Sequence, residues 1–216
     1  MTGFDNHEAI EYSVFQAEDA AAMTRLLGEV FTRGDPPAVA VGLTPLEFEA
    51  MVRLYCSKAA AEGLTIVARR AGSHEFVGAL LAEDSDSEAP EGVESLSSKF
   101  DPIFEMLAQL ETEYRAARAA HVRSVHLFLL GVTESAAGQG VAQHLVSACL
   151  EHAARRGFQL AVTEATNPIS QHVFRKLGFA ERVWRSYEDF RFNGQAVFAS
   201  IAAQGGPILM DKALLG

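Results

Sequence analysis

Apolar and polar positions first alternate over residues 10–14, where Glu11 and Ser13 separate Ile10, Tyr12 and Val14, and this period of two predicts a half-buried strand. The period then changes. Met23, Leu26, Leu27, Val30 and Phe31 trace a helical stripe that ends near Thr32-Arg33-Gly34. Gly34-Asp35-Pro36-Pro37 is predicted as a fixed irregular turn, because proline has no N–H and restricts the residue before it. A second helix starts at Thr44-Pro45-Leu46-Glu47, with Thr44 as cap, Pro45 in the first turn and Glu47 completing a capping box. Leu46, Met51, Val52, Leu54, Tyr55 and Ala59 give its buried face, and Gly63 ends it. Leu64–Arg69 and Phe76–Ala82 read as a hairpin around a short turn at Ala71–His74. Residues 83–98 are acidic and poor in apolar side chains, which predicts an exposed loop with Glu83 on it. A helix follows from Asp101 and Pro102 through Ile103, Leu107, Leu110 and Tyr114 to about Arg118.

The second half is organised around residues 125–157. An apolar strand, Ser124–Val132, leads through a polar turn and the glycine pair Gly138 and Gly140 into a helix with apolar positions Val141, Leu145, Val146, Cys149, Leu150 and Ala153. Gly157 stops that helix. Phe158–Glu164 is strand-like, Pro168–Lys176 helical, and Leu177-Gly178-Phe179 is a glycine-capped hand-over to a strand near Val183-Trp184. In the tail, Asn193-Gly194 predicts a hairpin, followed by strands over Ala196–Ile201 and Ile208–Met210. The whole is an α/β chain with a mixed, mostly antiparallel sheet flanked by helices, and its 216 residues fit one domain, 1–216, with 83–98 as an embellishment.

Composition narrows the function. Hydrophobic residues make up 49%, enough for a core, and 28 Asp plus Glu against 18 Lys plus Arg give a net charge of −10. That balance argues against a nucleic-acid binder and favours a cationic small substrate. Cys56 and Cys149 have neither metal-ligand spacing nor a base partner, so no metal and no covalent intermediate are expected, and reduced core thiols suit a cytoplasmic protein. No membrane span or basic, apolar leader is evident in the sequence. Exposed sheet edges and apolar C-terminal strands make a homodimer an expectation.

Glycines where a strand feeds a helix leave N–H groups uncovered at the positive end of a helix dipole, an anion site. Two familiar versions do not fit: position 143 is Gln where a dinucleotide fingerprint needs glycine, and Gly140 is followed by Val141 where a P-loop needs lysine. Instead Ala137-Gly138-Gln139-Gly140-Val141-Ala142 resembles the pyrophosphate loop, Q/R-x-x-G-x-G/A, of the GNAT acetyltransferases. Asn167-x-x-Ser170-x-x-x-Phe174-x-Lys176-Leu177-Gly178-Phe179 resembles that family's N-x-x-A-x-x-x-Y-x-K-L-G-F block. The resemblance implies a GNAT fold and acetyl-CoA as cofactor. It places Leu130, Gly131 and Val132 along pantetheine, residues Ala137 to Ala142 around pyrophosphate, and Asn167 and Lys176 as further contacts. Ala137 stands where the family has a basic or Gln side chain, and Phe174 where it often has a proton-donating tyrosine.

Acetyl transfer to an amine needs a base, donors for a developing oxyanion and an acid for the thiolate. His126, six residues before Val132, resembles a base position of several GNAT enzymes, and period-two alternation puts Ser124, His126, Phe128 and Leu130 on one sheet face, where a histidine titrates near neutral pH. Phe31-Thr-Arg-Gly-Asp35-Pro36 resembles a segment of the insect arylalkylamine branch that makes Asp35 the competing base, and the same comparison marks Thr166 and Ser170 as functional hydroxyls. The implied activity is direct acetylation of a small primary amine, with an arylalkylamine-like acceptor as the reading that the second resemblance implies. The alternatives are a polyamine, amino acid, aminoglycoside or protein N-terminus as acceptor, or a weakly catalytic acyl-CoA sensor. Phe31, Tyr55, Phe128, Trp184, Phe190 and Phe192 are candidates for an aryl pocket.

Overall fold

A computed structural model describes residues 9–118 and 122–214. The acidic stretch 1–8, which carries most of the sequence argument against a leader, lies outside them. Seven strands form one sheet: β1 (Ile10–Val14), β2 (Ile66–Arg70), β3 (Phe76–Asp84), β4 (Ser124–Val132), β5 (Leu160–Ala165), β6 (Ala180–Trp184) and β7 (Ile208–Ala213), in the order β1-β2-β3-β4-β5-β7-β6. All neighbours are antiparallel except β4 and β5. The apolar C-terminal strand is therefore interior, paired on both sides.

Helices α1 (Ala20–Gly34), α2 (Pro36–Ala40), α3 (Pro45–Glu62) and α4 (Asp101–Ala117) cover one face, and α5 (Val141–Arg155) and α6 (Pro168–Lys176) the other. The helical stripes explain the assignment. Residues Val141, Leu145, Val146, Cys149, Leu150 and Ala153 of α5 are the ones it buries, against Leu80, Val125 and Leu127 of the sheet. In α3 the Thr44–Glu47 capping box forms and left-handed Gly63 closes the helix, but Leu46 is 77% exposed because the first turn projects past the core. No described helix is long and apolar enough to cross a membrane.

Four local readings change. Pro36 and Pro37 do not only end α1. They occupy the first turn of the short α2, where a missing N–H costs nothing, and Asp35 is its N-cap. Glu83 and Asp84 belong to β3, so the exposed loop starts after them. Asn193-Gly194 does turn the chain, with Phe192 bridged to Gln195, but Ala199–Gln204 coils into a 3₁₀ helix instead of extending a hairpin. Finally, β4 carries a bulge: Leu81 pairs with Leu129 and Ala82 with Leu127, so Phe128 is an extra residue. The alternation changes phase there. Val125 and Leu127 pack towards α5, Leu129 towards α1 and α3, and Leu130 towards the α5 side, away from His126.

Candidate active site

β4 and β5 pair only from Ser124–Leu160 to His126–Val162. Past that point one side-chain bond, from Thr163 Oγ1 to the Leu127 carbonyl at 2.9 Å, precedes a parting of the strands. The β5-facing edge of β4 from Phe128 to Val132 thus has backbone groups with no strand partner, including those of Leu130, Gly131 and Val132. Gly131 also needs its lack of a side chain, since a Cβ there would lie 2.8 Å from Leu27 Cδ2.

The same end of β4 feeds the glycine turn. Gly140, at φ 78°, is the N-cap of α5, and no side chain caps the helix, so the first-turn N–H groups of Val141, Ala142 and Gln143 point outward unpaired by a turn before them. Gly138 is likewise left-handed, at φ 75°, and Ala137, Gly138 and Gln139 leave that surface open. Ala137 brings no charge, but the Arg70 guanidinium of β2 donates to the Ser135 carbonyl at 3.3 Å, on the turn leading into the glycines. Sequence spacing gave no hint of Arg70, which is 65 residues away. Lys176 is exposed at the end of α6 and lines neither cavity described below.

Where the strands part lies a cavity of about 80 Å³ that contains Asp35, Leu130, Glu164, Thr166, Asn167, Ser170 and Phe174 on its walls, with Phe31, Phe48 and Phe128. Asp35 is 8% exposed. Its Oδ2 accepts the Ala38 N–H at 3.2 Å, and its Oδ1 accepts the Thr166 hydroxyl at 2.5 Å, across 131 positions of sequence. Burial lifts the Asp35 carboxyl to about 6, despite the opposing hydrogen bonds from Thr166 and Ala38. Tyr187 locks this corner from behind, donating to the Thr166 carbonyl at 2.6 Å. Asn167 is the N-cap of α6: its Oδ1 accepts the Ser170 N–H at 2.9 Å, and the Ser170 hydroxyl returns a bond to the Asn167 carbonyl at 3.0 Å. Phe174 is buried edge-on against Phe179 and supplies no proton.

His126 lies elsewhere, in a cavity of about 550 Å³ under α4 that also exposes Tyr55, Glu83, Tyr114, Phe128 and Glu164. Its ring is held at both nitrogens, Nδ1 3.1 Å from Glu83 and Nε2 2.7 Å from Glu164. Burial alone would lower the imidazole pKa, but Glu164 and Glu83 outweigh it and lift the ring to about 10. Both carboxylates favour the charged form of the ring and move it away from the near-neutral titration expected from the strand position alone. Glu83 is in turn held charged by His126 and by Lys58, which donates to it at 2.6 Å. The antiparallel register that sets Glu83 opposite His126 could not be read from the acidic run in which Glu83 sits.

Of the aryl candidates, Phe31 and Phe128 line the small cavity and Tyr55 and Phe128 the large one, whereas Phe190 is packed in the core and Trp184 is 55% exposed. Cys56 and Cys149 are free and buried and line neither cavity, and burial pushes the Cys149 thiol up to about 12. Among the described residues no cluster of three His, Cys, Asp or Glu could hold a metal ion.

Known proteins place this arrangement. The chain overlays on the C-terminal condensation domain of Ebony, solved with beta-alanyl-dopamine, with a TM-score of 0.86 at 16% identity, covering 95% of this chain and 99% of that one. Arylalkylamine N-acetyltransferase 2 from Aedes aegypti gives 0.78 at 21% identity over 95% and 99%, and a Drosophila melanogaster polyamine N-acetyltransferase that forms N-acetylagmatine gives 0.77 at 19% over 95% and 100%. These likenesses establish the fold. No functionally curated protein matches the chain in sequence. The profile of the acetyltransferase (GNAT) family matches residues 60–179, from the end of α3 through the glycine turn to Phe179, and the chain belongs to that family.

Proposed function

We propose that the protein transfers an acetyl group from acetyl-CoA directly to the primary amine of a small acceptor, with Asp35 as the general base. Carrying this reading is the buried Asp35–Thr166 pair, set where β4 and β5 part and poised near pH 6. A carboxylate so placed is largely ionised at neutral pH and basic enough to take the proton that a neutral amine nitrogen gives up as it attacks the thioester carbonyl.

The chain's surfaces suit the cofactor. An uncapped helix start behind Gly138 and Gly140 fits a pyrophosphate, and the unpaired β4 edge at Leu130–Val132 fits the amides of an extended pantetheine arm. Acetyl-CoA, when bound, supplies the acetyl group as a thioester. Asp35 then accepts the amine proton as nitrogen attacks, Thr166 fixes the carboxylate rotamer, and the Ser170 hydroxyl on the same wall is the donor for the departing sulfur that Phe174 cannot be. Asn167 serves by shaping the start of α6, its side chain being engaged as the cap. His126 is a fixed charge and not the base. The acidic chain, at −10, favours a cationic acceptor, and two buried reduced thiols suit a cytoplasmic setting.

The test is free-thiol release from acetyl-CoA against a panel of primary amines across pH. Turnover whose kcat/KM falls away on the acid side with an apparent pKa near 6, and loses that limb in Asp35→Asn, is the expected result. Binding of acetyl-CoA with no amine turned over would instead make the protein an acyl-CoA sensor.

A further inference from the structure

β5 loses β4 after Val162 and β7 after Ala165, so Thr166 stands beyond the sheet on both sides, yet its hydroxyl is fixed on Asp35. Two side chains outside the reaction itself hold it there. Gln171, 7% exposed in α6, donates through Nε2 to the Ala165 carbonyl at 3.2 Å and to the Gly206 carbonyl at 3.0 Å, tying the end of β5 to the start of β7. Buried Tyr187 donates to the next carbonyl, that of Thr166, at 2.6 Å. Backbone carbonyls that leave a ladder need other donors, and here two consecutive ones are met by side chains from separate parts of the chain.

Tyr187 is itself held. Its N–H donates to the Gly205 carbonyl at 3.0 Å, its ring lies edge-on to Phe198 at 5.6 Å, and Gly206 passes so close that a Cβ there would collide with the Arg185 carbonyl. The carboxylate leans on the same segment, because α2, which Asp35 caps, packs on the 3₁₀ helix Ala199–Gln204. Both halves of the Asp35–Thr166 pair thus depend on residues 185–206, beyond the last residue that the family profile matches. The other ionisable groups facing Asp35 are Tyr187, whose hydroxyl is pushed up by burial and then by Asp35, and Glu164 on the wall of the same cavity. Neither donates to the carboxylate; among the described residues Thr166 is the one side chain that does.

We propose that Tyr187 and Gln171 are positioning residues for the transfer: by holding the Thr166 and Ala165 carbonyls they keep the Thr166 hydroxyl on Asp35, and they act on the reaction only through that bond. Without the Tyr187 hydroxyl the Thr166 backbone loses its donor, its own hydroxyl leaves Asp35 for part of the time, and the carboxylate loses the bond that favours its charged form. The effect on turnover rests on the acetyl-transfer reading, whereas the effect on Asp35 belongs to the free protein.

A double-mutant cycle tests it, with Tyr187→Phe, which keeps the ring, Thr166→Val and the pair combined. The first readout is the titration of the Asp35 carboxyl by carbon NMR, without cofactor or amine; the second is the pH profile of kcat/KM. Tyr187→Phe is expected to move the titration above 6 and to lower kcat/KM at neutral pH about fivefold, the size of one hydrogen bond, through kcat and with the KM for acetyl-CoA unchanged. In the Thr166→Val background the same substitution should move neither readout. Gln171→Met, which keeps the length and removes both donors, should behave alike, and it decides the matter if Tyr187→Phe does not fold. A titration that stays near 6 in these variants overturns the inference, as does a shift that adds in full to that of Thr166→Val. The expected titrations with no amine acetylated would sink the acetyl-transfer reading and keep the positioning role. Acetylation with an unmoved titration would do the reverse.

Discussion

Buried Asp35, bonded to Thr166 just past the end of β5, and the partly buried Glu83–His126–Glu164 cluster, which reaches β5 at Glu164, are two sets of ionisable groups whose surroundings give them opposite properties. Among the described residues Asp35 has hydroxyl and amide donors but no cation in hydrogen-bond contact, and burial raises it to about 6, where it can gain and lose a proton. In the cluster each carboxylate meets a cation and each cation a carboxylate, and the two carboxylates raise the His126 ring to about 10. Burial without a counter-charge makes a base; burial with counter-charges makes a scaffold. The residue type usually taken as the neutral-pH base is the scaffold, and the one usually taken as a surface turn former is the candidate base.

The strongest way to break this contrast is Asp35→Asn. The expected loss in kcat/KM is about 1,000-fold, within the range of general-base contributions, with disappearance of the acid limb near pH 6. The same variant should be more stable than wild type at pH 8. A carboxyl whose folded pKa lies above its unfolded value destabilises the fold progressively between about pH 4 and 6 and fully above that, and asparagine removes the charge. A Tm that drops at pH 8 would mean that Asp35 is structural first.

His126→Ala should show the reverse profile. Removing the imidazolium leaves Glu83 and Glu164 facing each other, a loss of about 3–5 kcal/mol by denaturant unfolding at pH 7, while any residual activity keeps its acid limb near 6. The wild type offers a parallel check. With the folded pKa raised above the ordinary 6.5, the ion pairs of His126 stabilise fully below about pH 6.5 and are lost as pH rises towards 10. A His126 variant should lack that alkaline decline.

Much of this molecule was legible from residue order, and the division is physical. The buried face of α5, the Thr44–Glu47 box and the glycine turn are local patterns, and each formed as spacing predicted. The Asp35–Thr166 bond joins residues 131 apart, and only a resemblance to the arylalkylamine branch had marked both. Glu83 was hidden because it opens an acidic run, and Glu164 because nothing local distinguishes a strand-end carboxylate that faces a cavity from one that faces water. Their roles depend on strand register, which brings Glu83 opposite His126. The bulge at Phe128 leaves no trace in the unbroken apolar run Leu127–Leu130, so period-two counting put Leu130 on the wrong face. Ala199–Gln204 failed differently: a short apolar run does not say whether it will extend or coil.

Thr166→Val sharpens the contrast at smaller cost. It removes a hydroxyl that lowers the Asp35 pKa, so the acid limb should move above 6, with kcat/KM down about tenfold at neutral pH for the lost charge-assisted bond. An acid limb that stays in place would show that the bond does not bear on the proton in solution.

Glu83→Gln should have the smallest effect and tests whether the two regions are separate. Glutamine preserves the side-chain shape and can still accept from His126 or Lys58, but one charge is gone, so His126 is left with Glu164 as its only direct carboxylate partner. Its pKa should fall, and the pH at which the fold loses its alkaline stability should fall with it, at a cost of about 1 kcal/mol at pH 7. Asp35 touches none of these groups, and its pKa depends on burial, Thr166 and Ala38. The acid limb of amine acetylation should therefore remain near 6 while the alkaline limb of stability moves. If both limbs move together, the scaffold and the base are one coupled system, and the contrast between them is a matter of degree.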